Sequence, residues 1–333
     1  MKTYIPYSLI LAAAASGMAF GAETAYTTPV GYVSLGNTTP AVDNVPANSD
    51  VVVSVPVLKS ASFAGLVGSV GANTVTVNTT PAFADNVWSA TPHVLVIENG
   101  PKSGLIVPIL SNLGNVLTID PGVFSLTGIV AGNSLSIRPA WTLATFMSGA
   151  TSLTGVQVFT FSNTQANINN SADGLYFYVG AGWENADGDP ANDTILYPGD
   201  GFVVRTAATP IADFVVSGEV PKANSYVAIG ESATGARDTM FSYVSPVSEN
   251  LGVSGIGVTA GDVLLDFNNT AAGQNKSGTP YFYIGGGNWE NGDGDSANTF
   301  PLEGGKAYVF RRATAAATGY IVEQDAQTYI PSL

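Results

Sequence analysis

From residue 22 onward the chain is a succession of short apolar runs broken by Gly, Asn, Asp and Pro. Val51-Val52-Val53-Ser54-Val55, Thr74-Val75-Thr76-Val77, His93-Val94-Leu95-Val96-Ile97, Val116-Leu117-Thr118-Ile119 and Phe214-Val215-Val216-Ser217 are examples. They are rich in β-branched residues, and several alternate apolar with polar side chains, which predicts strands with one buried and one wet face. Between Gly65 and Ile137 the Gly and Asn turn signals recur every ~8–12 residues, the rhythm of a small barrel or sandwich. Asn99-Gly100 reads as a tight turn, because both residues tolerate positive φ. Only Leu143 to Met147 reads as helix, and it is short. The expected fold class is all-β.

A long-period repeat organises the second half. Residues 183–192 read WENADGDPAN and residues 289–298 read WENGDGDSAN, identical at eight of ten positions with an offset of 106 (289 − 183). Tyr176-Phe177-Tyr178 answers Tyr281-Phe282-Tyr283 upstream, and Phe202-Val203-Val204-Arg205 answers Tyr308-Val309-Phe310-Arg311 downstream. At the same offset Val158 meets Leu264, Phe161 meets Phe267, and Asn163-Thr164 meets Asn269-Thr270. The repeat spans about 154–216 and 260–322, and implies two copies of one β-rich unit. The expected organisation is a signal peptide at 1–21, an N-terminal β domain at 22–140, and repeat units at 141–220 and 221–333. The N-terminal part should be a small β-barrel or sandwich, and the repeats should be sandwich-like.

The first 21 residues carry Lys2, then the apolar run Leu9-Ile10-Leu11-Ala12-Ala13-Ala14-Ala15, then small residues. That is the form of a secretory signal, too short for a spanning helix, with cleavage expected after Gly21. No later segment is long and apolar enough to span a bilayer, so no transmembrane segment is expected in the mature chain. The expected location is secreted, or at the cell surface or periplasm. Against 11 basic residues stand 25 acidic ones, a formal net charge of −14. So acidic a chain repels phosphate backbones and anionic membranes, and neither is an expected partner. Low charge with 45% hydrophobic residues predicts substantial cores rather than disorder. The chain has no cysteine, so each domain has to stand on its own core without disulfides.

Candidate chemistry is narrow. His93 is the only histidine and there is no thiol, which removes histidine triads, cysteine nucleophiles and multi-histidine metal sites. Carboxylate chemistry of the glycosidase kind remains, with Glu184 and Glu290 as candidates by residue type. In the repeated loop Asn185, Asp187 and Asp189, and again Asn291, Asp293 and Asp295, stand at alternate positions, as the first ligands of a calcium loop do. The pattern departs from that loop at Pro190 and Ser296, where glycine is wanted, and at Leu196 and Leu302, where a bidentate glutamate is wanted. The competing reading is a hairpin connection that uses Asn, Asp and Gly for their backbone tolerance. Calcium is the one cofactor these residues suggest. The Tyr-Phe-Tyr strands send both tyrosines to one face, so with Trp183 or Trp289 they could form an aromatic platform for sugar rings. Alternatively Phe and Trp close the core and the tyrosines line a half-buried sheet.

Thr28-Pro29-Val30-Gly31-Tyr32-Val33, Asn48-Ser49-Asp50-Val51-Val52-Val53-Ser54-Val55-Pro56, the Gly65-to-Val77 run, Tyr176-Phe177-Tyr178 and Pro198-Gly199-Asp200-Gly201-Phe202-Val203-Val204-Arg205 carry a resemblance. In these turn-and-strand patterns the chain resembles a paralogous family of secreted, β-rich proteins of verrucomicrobial bacteria. The resemblance implies export and architecture and supplies no site.

Together these readings suggest an exported, non-enzymatic structural or adhesive protein of the cell envelope or extracellular matrix, whose partner is itself or surface glycans. The alternative is a glycan-binding module for polysaccharide capture, and the third reading is a carboxylate-based glycoside hydrolase.

Overall fold

The computed structural model describes residues 29–37, 44–122, 124–162, 168–222, 225–229, 236–256, 259–312 and 320–324. The expected signal peptide, and Asn163 and Thr164 of the repeat, lie outside them. The described chain is all-β apart from one short helix and one 3-10 turn. No helix among the described residues is long and apolar enough to cross a membrane.

Two strands come first, β1 (Val30–Ser34) and β2 (Asp50–Ser54). The next six are β3 (Phe63–Val70), β4 (Thr74–Asn78), β5 (His93–Ile97), β6 (Ile106–Leu113), β7 (Val116–Ile119) and β8 (Ser134–Pro139). These six close into a barrel in the order β3-β4-β7-β6-β5-β8. Alternation fills it: Val75 and Val77 of β4, Leu117 and Ile119 of β7, and Leu135 and Ile137 of β8 meet inside. The strand β5 is buried along its whole length because it has two apolar neighbours. Leu95 and Ile97 face the barrel core, while Val94 and Val96 pack on Ala140, Ile106 and Ile195.

After the barrel come α1 (Leu143–Met147), β9 (Gln157–Thr160), β10 (Gly174–Tyr178), β11 (Trp183–Asn185), β12 (Gly201–Arg205) and β13 (Val215–Glu219). The helix forms because Thr142 and Thr145 make a reciprocal capping box and Leu143, Phe146 and Met147 reach the core. The remaining strands are β14 (Ser225–Ile229), β15 (Arg237–Ser242), β16 (Glu249–Asn250), β17 (Val263–Asp266) and β18 (Thr279–Gly285). They are followed by β19 (Asn288–Glu290), β20 (Pro301–Leu302), β21 (Ala307–Arg312) and β22 (Tyr320–Gln324).

Two five-stranded sheets result, ordered β11-β10-β9-β12-β2 and β19-β18-β17-β21-β15. The registers match as well as the orders. Val203 lies opposite Phe159 as Val309 lies opposite Leu265, and Tyr176 opposite Val158 as Tyr281 opposite Leu264. Each repeat also has a two-stranded ribbon, β1-β13 in the first and β14-β22 in the second.

The pairing departs from the expected boundary at 140. The strand β2 pairs with β12 from Ser54↔Gly201 to Asp50↔Arg205, and β1 pairs with β13. Residues before the barrel therefore belong to the first repeat, and the barrel is inserted between β2 and β9. The physical reason is burial on both faces. Val51 and Val53 enter the core of the first repeat, and Val52 the contact with the second, so β2 needs partners that the barrel does not offer. In the second repeat β16 and a 3-10 turn at Leu251–Val253 stand where Thr142 and α1 do in the first. Leu251 N–H donates to Phe300 O as Leu143 N–H donates to Thr194 O, and residues 243–248 alone take the place of the barrel.

Candidate functional site: the seam between the repeats

The richest cluster of polar groups lies where the two sheets meet. Their inner faces present Val52, Val203 and Phe161 on one side and Met240, Val309, Leu265 and Phe267 on the other. Between them is a cavity of about 320 Å³, flanked by Asp50 with Arg205 and by Asp238 with Arg311.

Arg205 is the last residue of β12 and Arg311 the last but one of β21, each opposite an aspartate of the neighbouring strand, Arg205↔Asp50 and Arg311↔Asp238. Arg205 donates from Nε to Asp50 Oδ1 at 2.6 Å and from Nη2 to Oδ2 at 2.8 Å. Arg311 repeats the fork on Asp238 at 2.7 and 2.9 Å. Hydrogen bonding to the carboxylate raises the pKa of both guanidiniums, against the opposing pull of burial.

The repeats then exchange partners. Arg205 Nη2 donates to Asn275 Oδ1 of the second repeat at 2.8 Å, and Asn275 N–H donates to Asp50 Oδ2 at 2.8 Å. Reciprocally, Arg311 Nη2 donates to Asn169 Oδ1 at 3.0 Å, and Asn169 N–H donates to Asp238 Oδ2 at 2.7 Å. Both asparagines adopt positive φ, 54° at Asn169 and 51° at Asn275, a conformation that asparagine tolerates better than most residues. Ser54 N–H donates to Gly305 O at 3.0 Å, and Ser242 N–H to Gly199 O at 2.9 Å. Both glycines have positive φ, and a Cβ at Gly305 would collide with the Leu35 side chain. The second repeat also shields the free edge of β2 with a side-chain amide: Asn269 accepts from Val52 N–H at 2.8 Å and returns a bond to Val52 O at 2.9 Å. This reciprocity is the pattern of an isologous two-fold contact, built here within one chain.

The residues singled out in the sequence lie elsewhere. In each acidic loop the asparagine turns inward on its own backbone. Asn185 Oδ1 accepts from Asp187 N–H at 3.0 Å and Asp189 N–H at 2.8 Å, and Asn291 Oδ1 does the same for Asp293 and Asp295. Asp187, Asp189, Asp293 and Asp295 are exposed. The oxygen that would be the first calcium ligand is thus occupied by backbone donors. Among the described residues no group of three His, Asp or Glu side chains gathers in a way that could hold a metal ion. Asn192 and Asn298 close the loops by accepting from Trp183 N–H and Trp289 N–H at 2.9 and 2.7 Å.

The tryptophans are core residues, 1% exposed at Trp183 and 2% at Trp289. Each packs on a tyrosine of the adjacent strand, Tyr178 or Tyr283, with ring centroids 5.5 and 5.1 Å apart. The tyrosines do share one face, but it is the core face. Phe282 points outward at 39% exposure, so the expectation that phenylalanine closes the core is reversed here. Tyrosine wins that place because its neighbours on the same face are the buried tryptophans. His93 is buried in the barrel, with Nδ1 2.8 Å from Thr91 O and its ring against Trp88. Glu184 and Glu290 sit on the outer strands of different sheets.

Sequence reasoning missed the aspartates of the seam. The signal was present: Tyr32-Val33-Ser34-Leu35-Gly36 resembles Tyr226-Val227-Ala228-Ile229-Gly230, and Asp50 and Ser54 align with Asp238 and Ser242. Their offsets are 194 (226 − 32) and 188 (238 − 50), because the inserted barrel displaces them from the 106 of the remainder. Comparison with known proteins found no matching family model, no similar curated protein and no similar solved structure.

Proposed function

We propose that this chain is an exported, non-enzymatic structural or adhesive protein of the cell envelope or extracellular space. The observation that carries this reading is the reciprocal seam. It spends the conspicuous polar groups of both repeats, Arg205 with Asp50 and Arg311 with Asp238, on holding the molecule together rather than presenting them to a substrate. A rigid body of this kind suits a load-bearing or lattice-forming role. Burial of Trp183 and Trp289 favours it over glycan capture, since the flat rings a sugar platform needs are inside the cores. Separation of Glu184 and Glu290 onto different sheets likewise favours it over carboxylate-pair hydrolysis.

The test is sedimentation velocity over a concentration series, together with pull-down on insoluble polysaccharides. The expected result is concentration-dependent self-association with no saturable retention on any polysaccharide. A monomer at every concentration that is saturably retained on one polysaccharide would replace this reading with glycan capture.

A further inference from the structure

One end of the second sheet holds a lysine–aspartate contact that the first sheet lacks. Lys306 stands just before β21 and Asp266 closes β17, and Lys306 Nζ lies 2.6 Å from Asp266 Oδ1. The two strands are antiparallel neighbours with Leu265 opposite Val309, so Asp266 and Lys306 are diagonal partners across one pair of strands. Their side chains are only 15% and 11% exposed. Glu303 brings a carboxylate oxygen to 3.6 Å from the same nitrogen and is itself open to solvent. The surroundings are aromatic. Tyr308 has its ring centroid 5.5 Å from Lys306 Nζ, and Phe300 packs on both Tyr281 and Tyr308. The 2.6 Å approach of Nζ to Asp266 Oδ1 puts amine and carboxyl in direct contact.

We propose that Lys306 and Asp266 condense into an intramolecular amide that staples β17 to β21, with Glu303 carrying the proton. The inference stands on this geometry and not on the role proposed above.

A buried ion pair far from water loses hydration on both partners, and moving one proton from ammonium to carboxylate removes both charges. Burial already pushes the Asp266 carboxyl above its ordinary range, outweighing the attraction of Lys306. In the neutral pair the Nζ lone pair attacks Asp266 Cγ and the C–N bond forms. A proton leaves Nζ through the Glu303 carboxylate and reaches the departing hydroxyl. The C–O bond then breaks and one water leaves. Amine plus carboxylic acid gives amide plus water, with no change in oxidation state and no co-reactant. Fixed contact supplies the driving advantage, since well-oriented intramolecular groups react as if at ~10⁵–10⁸ M. The first repeat is a built-in control: at the 106 offset Thr160 and Asp200 stand where Asp266 and Lys306 do, and that pair has no amine with which to form an amide. In a chain without cysteine this bond would be the covalent brace that disulfides supply elsewhere.

Intact-mass spectrometry of the denatured purified chain, with its N-terminus sequenced, reads the reaction directly. The expected mass is one water below that of the sequence, and proteolysis should yield a branched peptide joining Lys306 to Asp266. Lys306→Met should restore the full mass. Asp266→Asn should close with loss of ammonia and give the same branched product as the natural chain. Glu303→Gln should leave open and closed forms together, the open form converting slowly on incubation. A natural chain of full mass, in which denaturation exposes Lys306 to complete acetylation, would overturn the proposal. Because the readout is mass in denaturant, a variant that folds poorly does not obscure the result for the natural chain.

Discussion

The two sheets agree in strand order and register, yet they end differently. In the first, Thr160 closes β9 and its hydroxyl donates to Asp173 at 3.2 Å, with Asp200 at the approach to β12. In the second, the equivalent places hold Asp266 and Lys306 in contact at 2.6 Å. At the seam the aspartate, arginine and asparagine recur on both sides with the same bonds, although the next residue differs, Asn170 in the first repeat and Lys276 in the second. The difference shows where symmetry constrains a repeat. A seam residue in one copy meets its counterpart copy reciprocally, so a change on one side disturbs a contact made by both. Asp266 and Lys306 pair their side chains within one copy, so that pair can differ between the repeats while the backbone bridges Val53↔Lys306 and Asp200↔Phe241 stay reciprocal.

The comparison can be broken most forcefully at the seam. Asp50→Ala and Asp238→Ala each remove the acceptor of a bidentate arginine and of an asparagine N–H from the other repeat. Each should destabilise the chain by about 3 kcal/mol, the low end for breaking a buried pair because the arginines are partly exposed. Urea unfolding would measure this, and a large loss at one site with none at the other would refute the reciprocity.

A smaller effect sharpens the contrast between the sheet ends. In the folded chain burial raises Asp266 above its ordinary 3.8. A carboxyl raised in this way contributes stability fully below its unfolded pKa, and that contribution is lost as pH rises through the folded pKa. Lys306→Met keeps Asp266 titratable and removes its attracting charge. The melting temperature of this variant should fall as pH rises from the ordinary carboxylate value towards neutrality. Adding Asp266→Asn to it should abolish that fall, and thermal melts at stepped pH would show the difference.

The smallest effect is expected in the acidic loops. Asp187→Asn with Asp293→Asn removes two exposed charges from turns held by Asn185 and Asn291, and should change stability by less than about 0.5 kcal/mol. Millimolar calcium should leave the melting temperature of the natural chain unmoved. A rise that this double variant loses would restore the loops as ion sites.

Much of the fold was legible in short-range pattern. Alternation located the strands of the barrel, turn signals spaced them, and the 106 offset paired Val158 with Leu264 and Arg205 with Arg311, as the sheet registers do. The candidate site was less legible. Nothing local points Arg205 to its partner Asp50, which lies 155 residues upstream, beyond the barrel. For Trp183 and Trp289 the sequence left two readings open, a platform for sugar rings or closure of the core, and the structure bears out the second. Their burial depends on Tyr178 and Tyr283 lying across the hairpin on the core face.

What the sequence determined by itself was local or periodic: strand class, the turns, the short helix at Leu143 to Met147, and the existence of two like units. These follow from φ preference and from side-chain period, which act over a few residues. Only the tertiary structure decided that β1 and β2 belong to the first repeat, that the barrel is an insertion, and that Lys306 meets Asp266. Those outcomes depend on which apolar faces find each other. The apolar centre of β2, Val51-Val52-Val53, carries no record of its partners, because burial on both faces is satisfied by any pair of complementary surfaces.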